Sequence, residues 1–205
     1  MSLPNYETLL TEMVEPHLLK ITLNRPQVGN ALNTQMGHDF LDLWTRLTED
    51  TRDIRCIILT GAGDKIFCAG GDLKERKGMT KEQWLKQHQL FERMYWTLTD
   101  MPIPVIAAIN GHAYAGGFET MLSCDFVYAS SAAKFALTEV TLGIMPGAGG
   151  TQNLPRAIGQ RRAKEMLMTG RPIDAAKALD WGLLNEVCEP GQVLNKALDT
   201  ARIIA

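Results

Sequence analysis

Three glycine-rich segments hold the residues best suited to chemistry: Phe67-Cys68-Ala69-Gly70-Gly71-Asp72-Leu73, Asn110 to Glu119 (NGHAYAGGFE) and Leu142 to Gln152 (LGIMPGAGGTQ). None matches the Walker P-loop or the G-x-G-x-x-G of a dinucleotide fold, so glycine needs another physical reason. Without a Cβ, backbone N–H groups approach a ligand atom closely, and a Gly-Gly step at a helix start adds the positive end of the helix dipole. Two such strand-to-helix corners facing one another would form a pair of N–H donors for an oxygen that gains negative charge. Losing one donor of that kind costs an enzyme about 10²–10³ in rate. Any one glycine cluster can equally be loop punctuation; three, each following or interrupting an apolar element, form a set. Glu119 follows Gly116-Gly117, where a helix dipole alone favours a carboxylate, and Glu139 read by itself could be a solvated loop charge.

The elements that would position these segments alternate. His17 to Asn24 is a short apolar run stopped by Arg25-Pro26, which reads as a strand. Asn33 or Thr34 can cap a helix from Gln35 to Glu49, in which Met36, Phe40, Leu43, Trp44 and Leu47 recur at helical spacing. Ile54 to Thr60 reads as a buried strand broken by Gly61-Ala62-Gly63. A helical stretch from Thr80 to Asp100 leads into a second buried strand, Val105 to Ile109, ended by Asn110-Gly111. Phe118 to Cys124 suits a short helix, Phe126 to Ala129 a strand, and Arg161 to Thr169, Ala175 to Trp181 and Val193 to Ile204 further helices. This alternation implies an α/β class with largely covered sheets. No internal repeat or splitting linker is visible.

Composition narrows the partners. The chain has 205 residues, 45% hydrophobic and 21% charged, enough for one substantial core. A formal net charge of −2 exerts no pull on polyanions, so neither nucleic acid nor an anionic membrane surface is expected as a partner. Cys56, Cys68, Cys124 and Cys188 lie far apart, without the C-x-x-C spacing of zinc or redox sites. No metal site is expected. No stretch approaches the ~20 apolar residues of a membrane span, and a cytoplasmic location is the expectation. The four tryptophans, Trp44, Trp84, Trp96 and Trp181, are assigned to helix packing, and His112 to a packed or partly exposed position.

The segment Ile106 to Asp125 (IAAINGHAYAGGFETMLSCD) resembles the central motif of the enoyl-CoA hydratase/isomerase, or crotonase, superfamily. Around it, Asn24-Arg25-Pro26 with Asn30-Ala31-Leu32 resembles the N-terminal motif, Phe67 to Arg76 the first oxyanion corner, and Phe135 to Arg156 the second catalytic segment. These motifs run in the family's order over nearly the whole chain.

The resemblance implies a ClpP-like spiral of β-β-α repeats, with two roughly perpendicular sheets flanked by helices. Residues 1–190 would form the core, and 191–205 the start of a C-terminal helical region, apparently incomplete. It implies an enoyl-CoA hydratase acting on a trans-2-enoyl-CoA thioester through a stabilised enolate; the alternatives are an isomerase or other enolate reaction, or a non-catalytic acyl-CoA-binding protein. The Gly71 and Gly116 N–H groups would form the oxyanion hole, with Glu119 and Glu139 as the two catalytic carboxylates. Substrate contacts are expected at Ala31, Ala69, Gly70, Asp72, Leu73, Lys74, Gly117 and Gly147, the last in a water-binding turn. Asp72 and Lys74 could equally just start a helix. Coenzyme A would enter as part of the substrate, with no separate cofactor, and the assembly would be a homotrimer or a dimer of trimers. Phe118 and Leu137 depart from common family residues and could reshape the acyl pocket, which leaves chain length and branching open.

Overall fold

The computed structural model of the chain describes residues 3–205. It opens with an antiparallel hairpin, β1 (Leu9–Glu15) and β2 (Leu18–Leu23), followed by α1 (Thr34–Glu49). Then come β3 (Cys56–Gly61), β4 (Ile66–Cys68), α2 (Leu73–Lys77) and α3 (Lys81–Thr99), followed by β5 (Val105–Ile109), β6 (His112–Tyr114) and α4 (Gly116–Leu122). The remainder is β7 (Phe126–Ser130), β8 (Lys134–Ala136), α5 (Gly150–Ile158), α6 (Gln160–Thr169), β9 (Ile173–Asp174), α7 (Ala175–Asp180), β10 (Glu186–Cys188) and α8 (Val193–Ile204). The class is α/β, as the alternation predicts.

From β3 to β8 successive strands are dealt alternately to two sheets. A six-stranded sheet has the order β1-β2-β3-β5-β7-β10, and a four-stranded sheet the order β4-β6-β8-β9. From β2 onward every pairing in the larger sheet is parallel, as are β4-β6 and β6-β8 in the smaller. The three β-β-α turns that begin at β3, β5 and β7 therefore each add one strand to each sheet and one helical layer. Parallel strands covered on both faces read as unbroken apolar runs, and all of β3 and β5 is buried. One cluster packs α1 and α3 against one face of the larger sheet, with Phe40, Trp44, Ile57, Leu59 and Met94 at its centre. On the opposite face Val193, Ala197 and Ala201 of α8 meet Ile58, Ile106 and Tyr128, so residues 193–204 share their sheet with the rest of the fold.

Two helix starts follow their sequence cues. Asn33 accepts a bond from the Met36 N–H, and Thr80 with Gln83 forms a reciprocal capping box. The tryptophan assignment holds for Trp44, buried in the core. It needs correction for Trp96, which is 70% exposed, and for Trp84, which is partly exposed and stacks on His88. His112 is half-buried, and its Nδ1 accepts from the Lys134 N–H. No helix among the described residues is long and apolar enough to cross a membrane.

Asn30 fastens the loops around the first glycine corner. It is fully buried, donates from Nδ2 to the carbonyls of Ala62 (3.0 Å), Ile66 (3.1 Å) and Phe67 (3.0 Å), and accepts from the Arg25 N–H at 2.9 Å. Asn30→Ala strands these buried groups, and we expect it to lower unfolding free energy by about 3 kcal/mol. Urea denaturation measures this; a loss under about 1 kcal/mol would mean that water replaces the amide.

Candidate active site

The C-terminal ends of three adjacent parallel strands converge on one cavity. β4 ends at the Gly70-Gly71 corner before α2, β6 at the Ala115-Gly116 corner before α4, and β8 at a 3₁₀ turn, Glu139–Leu142. Such strand ends are where open parallel sheets form ligand crevices. The cavity measures about 490 Å³ and is walled by Gly71, Gly116, Glu119 and Glu139 together with Leu32, Tyr95 and the loop from Leu142 to Ala148.

The two glycine corners touch. Gly70 has φ +89°, and a Cβ placed there would lie 2.7 Å from the Ala115 Cβ and 3.1 Å from the Gly116 nitrogen. Only glycine combines that backbone with that approach. Gly71 is pinned by a parallel bridge to Leu32, in which the Gly70 carbonyl accepts from the Leu32 N–H and the Asp72 N–H donates to the Leu32 carbonyl. The Gly71 N–H is left over. So is that of Gly116, whose carbonyl accepts from Tyr95 Oη (2.5 Å) and Thr120 Oγ1 (2.9 Å). Neither N–H has an acceptor among the described residues, and both belong to the cavity wall. Two unpaired donors on adjacent corners can hold one oxygen.

Glu119 lies in the first turn of α4, 3% exposed. Its Oε1 accepts from the Ala148 and Gly150 N–H groups, both at 2.8 Å, which joins α4 to the start of α5. Burial pushes its carboxyl up to about 7; the two N–H donors pull the other way, the Glu139 charge adds to the rise, and Arg76 opposes it. Glu139 is 7% exposed, and its Oε2 is buried without a partner among the described residues. Burial raises this carboxyl too, against its own backbone N–H and Arg76. Near neutral pH the Glu119 carboxyl is therefore poised to take up or release a proton.

Of the residues expected to contact substrate, Ala69, Leu73 and Gly147 line the cavity. Ala31, Gly70, Asp72, Lys74 and Gly117 are not part of its wall. Asp72 caps α2 by accepting from the Lys74 and Glu75 N–H groups and pairs with Arg25 at 3.0 Å; Arg25 in turn reaches the Ala31 carbonyl. Lys74 is exposed. Gly117 packs so tightly that a Cβ would sit 2.3 Å from the Cys68 carbonyl oxygen. Phe118 and Leu137 are buried in the core away from the cavity wall, so their bulk does not reshape the pocket directly. Sequence reasoning passed over Arg76, Trp84, His88, Phe91 and Tyr95, all on the wall. The α3 members carried a legible signal, because Trp84, His88, Phe91 and Tyr95 share one helical face at spacings of four, three and four.

A profile of the enoyl-CoA hydratase/isomerase family matches residues 14–205. The chain is 42% identical over 201 residues to the (E)-benzylidenesuccinyl-CoA hydratase of Thauera aromatica, a match covering 96% of this chain and 76% of that protein. It is 42% identical over 184 residues to the short-chain-enoyl-CoA hydratase of Clostridium acetobutylicum, covering 90% and 70% of the two. The crystal structure of an enoyl-CoA hydratase from Bacillus anthracis superposes with a TM-score of 0.93 at 43% identity, over 97% of this chain and 76% of that one.

The buried glutamate ties stability to pH. Folding raises the Glu119 pKa above that of an exposed carboxyl, so the folded state holds the proton better. The resulting stability is fully present below the unfolded value and is lost as pH rises through about 7. We expect Glu119→Gln, which keeps an acceptor for Ala148 and Gly150, to reduce the fall in Tm between about pH 5 and about pH 8. An unchanged pH dependence in thermal melts would show that Glu119 ionises without cost.

Proposed function

The chain belongs to the enoyl-CoA hydratase/isomerase family, and from that premise we propose that it hydrates trans-2-enoyl-CoA thioesters. The reading is carried by one observation: two buried carboxyl groups share a cavity with two backbone N–H donors that have no acceptor of their own among the described residues. Hydration needs both halves of that arrangement. The thioester oxygen accepts from Gly71 and Gly116, so that charge arriving on it as the enolate forms meets donors already in place.

Water attacks Cβ while a carboxylate takes its proton, and Cα receives a proton from the carboxyl pair. Glu119 suits the water side. Its Oε1 is fixed by two N–H groups, while Oε2 has no partner among the described residues and is free to orient a water. Glu139, with its unpartnered buried oxygen, suits delivery to Cα. The raised pKa values favour one proton shared between the two. Coenzyme A enters as part of the substrate, and the chemistry requires no other cofactor.

The test is loss of the conjugated-enone absorbance when purified protein meets crotonyl-CoA. We expect turnover, and a fall in kcat of about 10²–10⁴ in either Glu119→Gln or Glu139→Gln. The kcat/KM profile should decline on the acid side as Glu119, whose carboxyl is pushed up to about 7, takes up a proton and can no longer accept one from water. Turnover unaffected by both substitutions would remove the carboxylates from the mechanism.

A further inference from the structure

One cation on the cavity wall, Arg76, has no ion-pair partner among the described residues. Arg76 projects from α2, and its Nε–H donates to Gln87 Oε1 at 2.9 Å. Gln87 is 3% exposed and is itself fixed, donating to Thr34 Oγ1 at 2.9 Å and Glu75 Oε2 at 2.8 Å. The guanidinium lies over the Phe91 ring, 5.7 Å from its centroid, and against Gly71, where a Cβ would come 2.9 Å from Arg76 Cζ. Packing and one hydrogen bond therefore aim the fork.

Yet neither Nη is hydrogen-bonded among the described residues, and no carboxylate there lies within ion-pair distance of Arg76. Three of the nearby acids are committed elsewhere, and the fourth, Glu139, acts on the guanidinium only from beyond ion-pair distance. Asp72 holds Arg25, Glu75 accepts from the Thr34 N–H and Gln87, and Glu119 accepts from Ala148 and Gly150. Half-burying a guanidinium without a counter-ion is unfavourable, and a planar fork with two free Nη groups matches a carboxylate in bidentate geometry. Across the cavity Leu142, Ile144, Met145 and Pro146 are apolar, so an acyl group without charge would leave Arg76 unmatched.

Building on the reading of this cavity as an acyl-thioester site, we propose that Arg76 selects acyl groups bearing a carboxylate of their own. The chain would be short, because the guanidinium lies directly against Gly71, one of the donors to the thioester oxygen. The substrate class is then a short trans-2-enoyl-CoA with a second, free carboxylate, and Arg76 is the specificity residue.

Calorimetric titration with glutaryl-CoA and pentanoyl-CoA tests this. The two are saturated, cannot be hydrated, and differ at the chain end by a carboxylate against a methyl group. We expect the wild type to bind glutaryl-CoA at least about tenfold more tightly. Arg76→Gln should abolish the preference by weakening glutaryl-CoA selectively, and Arg76→Lys, which keeps the charge without the fork, should retain part of it. Equal affinities in the wild type overturn the proposal, whether or not the substitutions fold. Equal weakening of both ligands by Arg76→Gln overturns it as well, by assigning the guanidinium to coenzyme A or the thioester. The measurement needs no turnover, so a preference for glutaryl-CoA stands even if hydration fails, while absence of binding by either ligand defeats the acyl-thioester reading itself.

Discussion

Keeping two carboxyl groups out of water in one cavity is the constraint on which the rest of this structure depends. Burying a charge without compensation is costly, and the usual escape is to take up a proton. Here compensation is partial. Glu119 receives two backbone N–H bonds from the turn before α5, Glu139 keeps a buried oxygen without a partner, and Arg76 acts on both from a distance. Fuller pairing would steady the fold while fixing both carboxylates in the ionised state. Weaker support would leave both protonated and mobile. The arrangement lies between these, where proton exchange with a ligand costs least.

The backbone meets that constraint by geometry. Three neighbouring strands of the smaller sheet run parallel, so their C-terminal ends fall side by side although α2, α3 and β5 separate the first two in the chain and α4 and β7 the last two. The first two ends turn through glycine corners in contact with each other, and the third supplies Glu139. Close approach leaves no room for side chains at Gly70 or Gly117. Ala115 takes the same sort of turn with a Cβ, at φ 48°, a conformation that costs a non-glycine residue of order 1–3 kcal/mol. The neighbouring Tyr95 and Thr120 bonds to the Gly116 carbonyl help hold this corner.

Much of this was legible in the sequence. The long elements were, because a buried parallel strand such as Val105–Ile109 is an unbroken apolar run and an amphipathic helix such as α1 repeats at its own period. The short strands β4, β6 and β8 were not. Each has three residues, too few for any period to register, so the structural β-β-α repeat leaves no repeat in the sequence. β1 escaped notice because its residues, Leu9 to Glu15, follow no two-residue period and only Leu9 among them is buried, so neither alternation nor an apolar run marks this edge strand. The glycine corners and both glutamates stood out through motif resemblance. Arg76 did not, because its role follows from which acids around it are already engaged, and that is a fact of three-dimensional pairing. Asp72 shows the converse: of the two readings open to it in the sequence, ligand contact or helix start, the structure displays the second, with Arg25 as its ion-pair partner.

The most direct test of the central claim, an enolate held at the two glycine corners and served by two carboxyl groups, is proton NMR of crotonyl-CoA turned over in D₂O. The account predicts a 3-hydroxyacyl thioester carrying one deuteron at Cα, in a single stereochemical position, with none at Cγ. Deuterium at Cγ with a migrated double bond, or unchanged substrate in the presence of folded protein, would contradict it.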